Sequence, residues 1–171
     1  LISVEFPSVT NLITSFQFDT IYHEHFTYLG LITIEHLISD LNLKVFRVER
    51  LPTHGGSLRL WFTKKSSNQS IEKSVHLERL YELDSRIFDK SVLEFFSKES
   101  FNRVNKFNNF IKSLKTKKLK IYAYGAAAKG ISFLNFCGDQ AKLIQGVFDK
   151  NQMKQGRYIP RLNIEILDPL D

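Results

Sequence analysis

Residues 119–149, "LKIYAYGAAAKGISFLNFCGDQAKLIQGVFD", constrain the fold more than any other part of the chain. "LKIYAY" reads as a buried strand, "GAAAKG" as a small-residue turn and "ISFLNF" as part of a helix. "KLIQGVF" is a further apolar run and ends at Asp149. Strand, helix and strand in succession make a β-α-β unit, the building block of parallel, doubly wound sheets. The chain is therefore expected to be α/β.

The rest of the chain is read against that unit. "LISVEF" (1–6) reads as a strand, stopped by Pro7. Residues 33–42 are predicted helical, with Ile34, Leu37, Ile38 and Leu41 on one face. "LKVFRVERL" (43–51) alternates and reads as a strand, and "SLRLWFT" (57–63) as a second, joined to it through "PTHGG". "KKSSNQS" (64–70) has the composition of a linker. Two helices are predicted over 71–87 and 91–115, and the second carries Val104, Phe107, Ile111 and Leu114 at helical spacing as a core stripe. The chain opens without Met on an apparently buried strand and stops abruptly at "NIEILDPLD", so a piece of a longer protein is expected.

Composition narrows the chemistry. With 43% apolar residues the chain can bury a core, and it is no disordered tail. The single cysteine, Cys137, excludes a disulfide framework and a cysteine-based zinc site within the chain, and suits a reducing cytoplasm. Neither a transmembrane run nor a signal peptide is visible, so a cytoplasmic protein without membrane contact is expected. The net charge of +6 favours anionic ligands without choosing among them. The basic run "KTKKLK" (115–120) lacks interleaved aromatics. It reads as a solvated helix C-terminus, where cations suit the macrodipole, rather than a nucleic-acid patch.

Three stretches carry candidate chemistry. In "FDTIYHEHF" (18–26), Tyr22, His23, Glu24 and His25 stand side by side. His23 and His25 are i, i+2 neighbours without the H-E-x-x-H spacing or a nearby cysteine, so no metal is expected there. Acid–base work fits better. A histidine near pKa 6.5 is a natural base at neutral pH, a glutamate can orient it, and a tyrosine hydroxyl can donate to a developing oxyanion. A polar loop leading into the next helix is the plain alternative. In "LPTHGGSLR" (51–59), His54, Ser57 and Arg59 could contact a polar ligand, while Gly55 and Gly56 equally suit a simple hairpin turn. In "YGAAAKG" (124–130), a small-residue turn opening a helix lets backbone N–H groups approach a phosphate, and Lys129 adds a cation. Asp149 ends the next strand, where a ribose hydroxyl sits in dinucleotide folds. The turn matches neither G-x-G-x-x-G, with Ala127 in place of glycine, nor the P-loop, with Lys129 ahead of Gly130; tight helix–strand packing also explains it.

Taken together, "FDTIYHEHFTYLG", "VFRVERLPTHGGSLRL", "YAYGAAAKGISFLNFCG" and "FDKNQMKQGRYIP" occur in an order and at separations that resemble the sugar C-methyltransferase family, over nearly the whole chain. That family methylates a ring carbon of a nucleotide-linked keto-deoxysugar with S-adenosylmethionine. The resemblance implies the C-terminal part of a class I methyltransferase fold over 1–66, a helical linker region over 67–118 and a truncated Rossmann-like β-α-β domain over 119–171. It implies His25 as the base, supported by Tyr22 and Glu24, with His23 unassigned. It implies substrate contacts from His54, Gly55, Gly56, Ser57 and Arg59, and from Tyr124, Gly125, Ala126, Lys129, Gly130 and Asp149. The cofactor loop is expected upstream of Leu1, and zinc only in an N-terminal domain absent here. No residue of this piece would then bind either group, and the isolated piece would be an inactive monomer. After Pro160 the family typically continues with glycine, whereas this chain has Arg161, Leu162 and Asn163. Two other classes stay open: a nicotinamide-dependent sugar-nucleotide oxidoreductase built on Gly125 to Asp149, and a non-catalytic nucleotide-sugar-binding module.

Overall fold

A computed structural model describes residues 1–170. Residues 1–17 and 25–97 form one compact unit; residues 18–24 group with those from 98 onward in a second. The helical segment expected at 67–118 is thus divided between the two.

In the first unit, β1 (Ile2–Pro7), β2 (Leu43–Leu51) and β3 (Ser57–Lys64) form a sheet in the order β1-β3-β2, with both pairings antiparallel. Leu58, Leu60 and Phe62 alternate along β3, so all three fall on the buried face, where they meet Leu31, Val45, Val48 and Val75. Val45 and Val48 are an odd number of positions apart, yet both reach this core. A register shift between Val45 and Arg47 makes that possible, since a bulge moves the following side chains to the other face.

Helices pack against the buried face of this sheet. α1 (Val9–Thr14) begins after Pro7, where the Ser8 hydroxyl accepts the Asn11 N–H at 3.2 Å. α2 (Leu31–Leu37) starts two residues earlier than its apolar periodicity predicts and ends earlier as well. Asn42, at φ 52°, takes the left-handed conformation that asparagine tolerates, and the chain turns into β2. Its early start has a cause 51 positions away. α3 (Lys73–Asp84) buries Glu82 completely, and the two oxygens of that carboxylate accept the N–H groups of Leu31 at 2.6 Å and Ile32 at 2.8 Å. Gly30 precedes α2 without a side-chain cap, and a Cβ there would lie 2.5 Å from Glu82 Oε1. The glycine leaves room for a glutamate from another helix to act as the cap. Arg79 of α3 grips Glu35 of α2 through two N–H groups, at 3.1 and 2.5 Å, and fixes the pair from outside. α3 is inverted relative to an ordinary surface helix: it buries Val75, Glu78 and Glu82 and exposes Leu77, Leu80 and Leu83.

In the second unit, β4 (Tyr122–Tyr124), β5 (Gly146–Phe148) and β6 (Ile166–Leu167) pair in parallel in sequence order. α5 (Ala128–Cys137) makes the crossover between β4 and β5, so the β-α-β unit read from the sequence is present. Its strands are shorter than the apolar runs, because residues 138–143 wind into a 3-10 turn before β5. α4 (Lys90–Thr116) supplies Val104 and Ile111 to a core shared with Leu134, Cys137, Val147 and Ile166, with Phe107 packed against it. Burial pushes the Cys137 thiol up to about 11. Between β5 and β6, Arg161 and Asn163 take φ 67° and 59° on either side of the buried Leu162. The arginine thus occupies a left-handed position where the resembled family carries glycine, a conformation costing a non-glycine residue about 1 kcal/mol. No helix among the described residues is long and apolar enough to cross a membrane.

The Glu82 cradle makes a pH prediction. Burial is the largest influence on this carboxyl and holds its pKa above the ordinary 4.5, against the two N–H bonds that pull it down; Glu78 and Glu35 nearby add to the rise. A raised folded-state value means stability fully present below 4.5 and lost as pH rises through the folded pKa. Glu82→Gln removes that slope. It also turns an amide NH2 toward one of the helix N–H groups, which costs about 1–3 kcal/mol. Urea unfolding of both proteins should therefore show a deficit for the variant that narrows as pH rises from 4.5 toward neutrality.

Candidate functional site

The Tyr22–His25 stretch has no helix or strand of its own and is fixed by its flanks. Upstream, Phe18 opens a 3-10 turn and packs its ring on Phe133 and Phe136, at 6.1 and 5.5 Å, within the second unit; Thr20 closes that turn and is buried. Downstream, Tyr28 packs on a small core of Leu12, Ile13 and Ile87 in the first unit. Leu29 then bridges to Ser8, and Gly30 delivers the chain to the Glu82 cradle. Between these anchors Tyr22 and His25 are half-buried, and His23 and Glu24 are exposed. The Tyr22 ring meets His23 edge-on at 6.1 Å. The division between units falls between Glu24 and His25.

The "THGGS" turn is held from below. Gln17 Nε2 donates to the Gly55 carbonyl at 2.7 Å, and the space a Cβ would need at Gly56 is filled by the Asn11 side chain. Gly55 and Gly56 have φ of 88° and 117°, so both steric room and backbone conformation demand glycine here. Ser57 is buried and its hydroxyl donates to the Thr53 carbonyl at 3.1 Å. Arg59 lies directly across the sheet from both Glu5 and Glu49 and bonds them at 2.8 and 3.4 Å. Its charge is thus matched within the sheet. Of the five residues the sequence singled out around this turn, His54 is the side chain presented to solvent, on a residue at φ 55°.

The turn 124–130 combines packing and exposure. Gly125 takes φ 92° and donates its N–H to the Phe148 carbonyl at 2.7 Å; a Cβ at this position would meet open space, so conformation alone requires the glycine. Packing favours glycine at Gly130, because a Cβ there would lie 3.3 Å from the Gly125 carbonyl oxygen, a tight contact. Ala126 is buried, Tyr124 is exposed, and Lys129 is half-buried on the first turn of α5. α5 begins at Ala128, and the preceding Ala127 offers it no side-chain cap. Its first-turn N–H groups are therefore the donors this loop offers to an anion.

Asp149 is committed to the same turn. Its Oδ2 accepts the Ala126 N–H at 2.7 Å and its Oδ1 accepts the Asn151 N–H at 2.8 Å. The Asn151 and Ala126 bonds, joined by the Lys154 ammonium, hold this carboxyl below its ordinary range against a modest opposing effect of burial. Lys154 Nζ also donates to the Ala126 carbonyl at 2.8 Å, and Gln155 Nε2 to the Asp149 carbonyl at 3.0 Å. Sequence reading missed Lys154 and Gln155. Their signal was a lysine five residues, and a glutamine six residues, beyond a strand-ending aspartate, within reach of a tight return turn.

Among the described residues no three histidine, cysteine, aspartate or glutamate side chains come together to hold a metal ion. The glycines of the first unit, Gly30, Gly55 and Gly56, are each faced at close range by the side chain of Glu82, Gln17 or Asn11.

Residues 52–171 match the family described as C-methyltransferase C-terminal domain. C-methyltransferase NovU of Streptomyces niveus is 27% identical to this chain over 169 residues, which is 99% of the chain and 40% of that protein. The chain thus spans 40% of the length of the curated relative it matches.

The Asp149 geometry predicts two titrating reporters. The amide signals of Ala126 and Asn151 should shift together in an acid titration followed by NMR, with a midpoint below the ordinary aspartate value of 3.8. Since the folded value is lowered, the turn's order should be complete above 3.8 and lost as pH falls through that midpoint. Asp149→Asn should abolish the shared transition.

Proposed function

We propose, because this chain belongs to the C-methyltransferase C-terminal domain family, that it is part of an enzyme methylating a ring carbon next to the keto group of a nucleotide-linked deoxysugar. The observation that carries the reading is the family match over residues 52–171, with a named C-methyltransferase aligning over 99% of the chain, the Tyr22–His25 stretch included.

The chain's own residues account for the steps that precede methylation. His25 takes the proton from the carbon beside the carbonyl, and the electron pair moves onto the carbonyl oxygen as an enolate. The Tyr22 hydroxyl donates to that developing oxyanion, and Glu24 accepts from the sugar hydroxyls. The exposed His54 reaches for the substrate from the "THGGS" turn, while Ser57, Gly55, Gly56 and Arg59 maintain that turn. The first turn of α5, with Lys129, receives the diphosphate, and the +6 net charge favours its approach. S-adenosylmethionine supplies the methyl group, and no residue of this chain is assigned to holding it.

The oxidoreductase alternative loses ground on a specific contact. A dinucleotide fold needs a carboxylate for the ribose after the second strand, and both Asp149 oxygens already accept backbone N–H groups.

The test is made in the full-length enzyme. His25→Gln should lower turnover by roughly two to four orders of magnitude, the range of a lost general base, with little change in affinity for the nucleotide sugar. Exchange of the sugar's α-proton with deuterated water, in the absence of methyl donor, should require His25. Exchange at the wild-type rate in the variant would remove this residue from the mechanism.

A further inference from the structure

Gln17 stands outside the three stretches with candidate chemistry, yet its side chain reaches a residue 38 positions along the chain, in the "THGGS" turn. We infer that Gln17 is a positioning residue of the substrate site: by holding the peptide between Gly55 and Gly56 in one orientation, it sets the place from which His54 meets the substrate. The inference rests on the reading of His54 as a substrate contact and adds to it the residue that places that contact.

The turn closes on itself without Gln17. The Gly56 N–H donates to the Thr53 carbonyl at 2.9 Å, the Ser57 hydroxyl donates to the same carbonyl at 3.1 Å, and the Thr53 hydroxyl donates to Glu5 at 3.1 Å. What these bonds leave loose is a peptide flanked by two glycines. Gly55 and Gly56, at φ 88° and 117°, have no Cβ to bar either orientation of the peptide that joins them. The N–H of that peptide is on Thr53, and its carbonyl accepts Gln17 Nε2 at 2.7 Å. Gln17 thus supplies the second of two holds, on the opposite edge of the peptide plane. His54 directly precedes this peptide and takes φ 55° and ψ 23°, a left-handed conformation that a non-glycine residue keeps only where its surroundings impose it.

The placement of Gln17 is itself enforced. After α1 the Gln17 N–H donates to the Leu12 carbonyl at 2.9 Å and the Phe16 N–H to the Ile13 carbonyl at 3.3 Å, a helix stop that ordinarily puts glycine at its left-handed position. Here that position, at φ 55°, is Phe16. Its ring lies 5.8 Å from that of Phe95 and 6.1 Å from that of Phe96, nearly parallel to the second, and this packing keeps an aromatic residue where the backbone favours glycine. The stop delivers Gln17 against Gly55, so close that a Cβ on the glycine would lie 2.8 Å from Gln17 Oε1 and 3.0 Å from Nε2. From α1 itself, Asn11 fills the space at Gly56, and the Ser8 N–H donates to the Gly56 carbonyl at 3.0 Å. The helix and its exit therefore support both glycines, and Gln17 is the member that acts on the peptide between them.

Steady-state kinetics of the full-length enzyme, with S-adenosylmethionine and a panel of keto-deoxysugars linked to uridine or thymidine diphosphate, test this. Gln17→Met, which keeps the length and removes the donor, should raise the KM for the sugar about three- to tenfold, the loss of one hydrogen bond, and leave kcat and the KM for the methyl donor unchanged. Gln17→Glu, which sets a carboxylate against the Gly55 carbonyl, should do the same. A merely structural role gives the opposite split, since a fraction of misfolded enzyme lowers kcat at unchanged KM. His54→Ala should also raise the sugar KM, and in that background Gln17→Met should add less than about twofold, because the glutamine acts through the histidine. A sugar KM within about twofold of wild type in Gln17→Met overturns the inference, as does an effect of full size in the His54→Ala background. An unchanged sugar KM in His54→Ala alone removes the histidine as a contact and the inference with it. If the wild-type enzyme methylates none of the sugars, the nucleotide-sugar reading itself falls, and the inference that rests on it.

Discussion

The first unit depends on one carboxylate. Glu82 is fully buried and gives both oxygens to the N–H groups that open α2. That arrangement requires glycine at position 30, fixes where α2 begins, and turns α3 so that Glu78 and Glu82 point inward and its leucines outward. Glu78, on the same buried face, reaches Arg50 of β2 at 2.6 Å, and the Arg50 guanidinium lies 3.8 Å from the centre of the Tyr81 ring. α3 thereby ties a helix and an edge strand to itself through two buried acids.

The second unit repeats the device in a different setting. Asp149 also receives backbone N–H groups and also shapes the entry to a helix. The environments push the two carboxyls in opposite directions. Desolvation outweighs hydrogen bonding at Glu82, whereas at the more accessible Asp149 the hydrogen bonds and a nearby ammonium prevail. The first acid is therefore a structural element sensitive to rising pH, and the second is sensitive to falling pH.

What could be read beforehand followed periodicity and local chemistry. The β2 and β3 alternation, the long α4 stripe and the β4–α5–β5 crossover were legible because each is a pattern within a few consecutive residues. α2 was misplaced because its start is set by Glu82, far along the chain. α1 was missed although Ser8 after Pro7 is a serviceable capping signal. The same divide holds at the sites. Gly125 and Gly130 were recognisable, and the structure separates their causes into backbone conformation and packing. The partners of Arg59 and Ser57, both internal, could not be seen without the strand register.

Cys137 gives the second unit a reporter of its own. It is the only cysteine of the chain, closes α5, and sits within the core beneath the β4–β5–β6 sheet, with its thiol driven up to about 11. At neutral pH the folded thiol is both shielded and protonated, so an alkylating reagent reacts only when α5 lifts away and exposes it. The rate of modification then measures how often that helix opens, against an unlabelled background from the rest of the molecule. A ligand seated on the first turn of α5 would slow this clock, whether or not any chemistry followed.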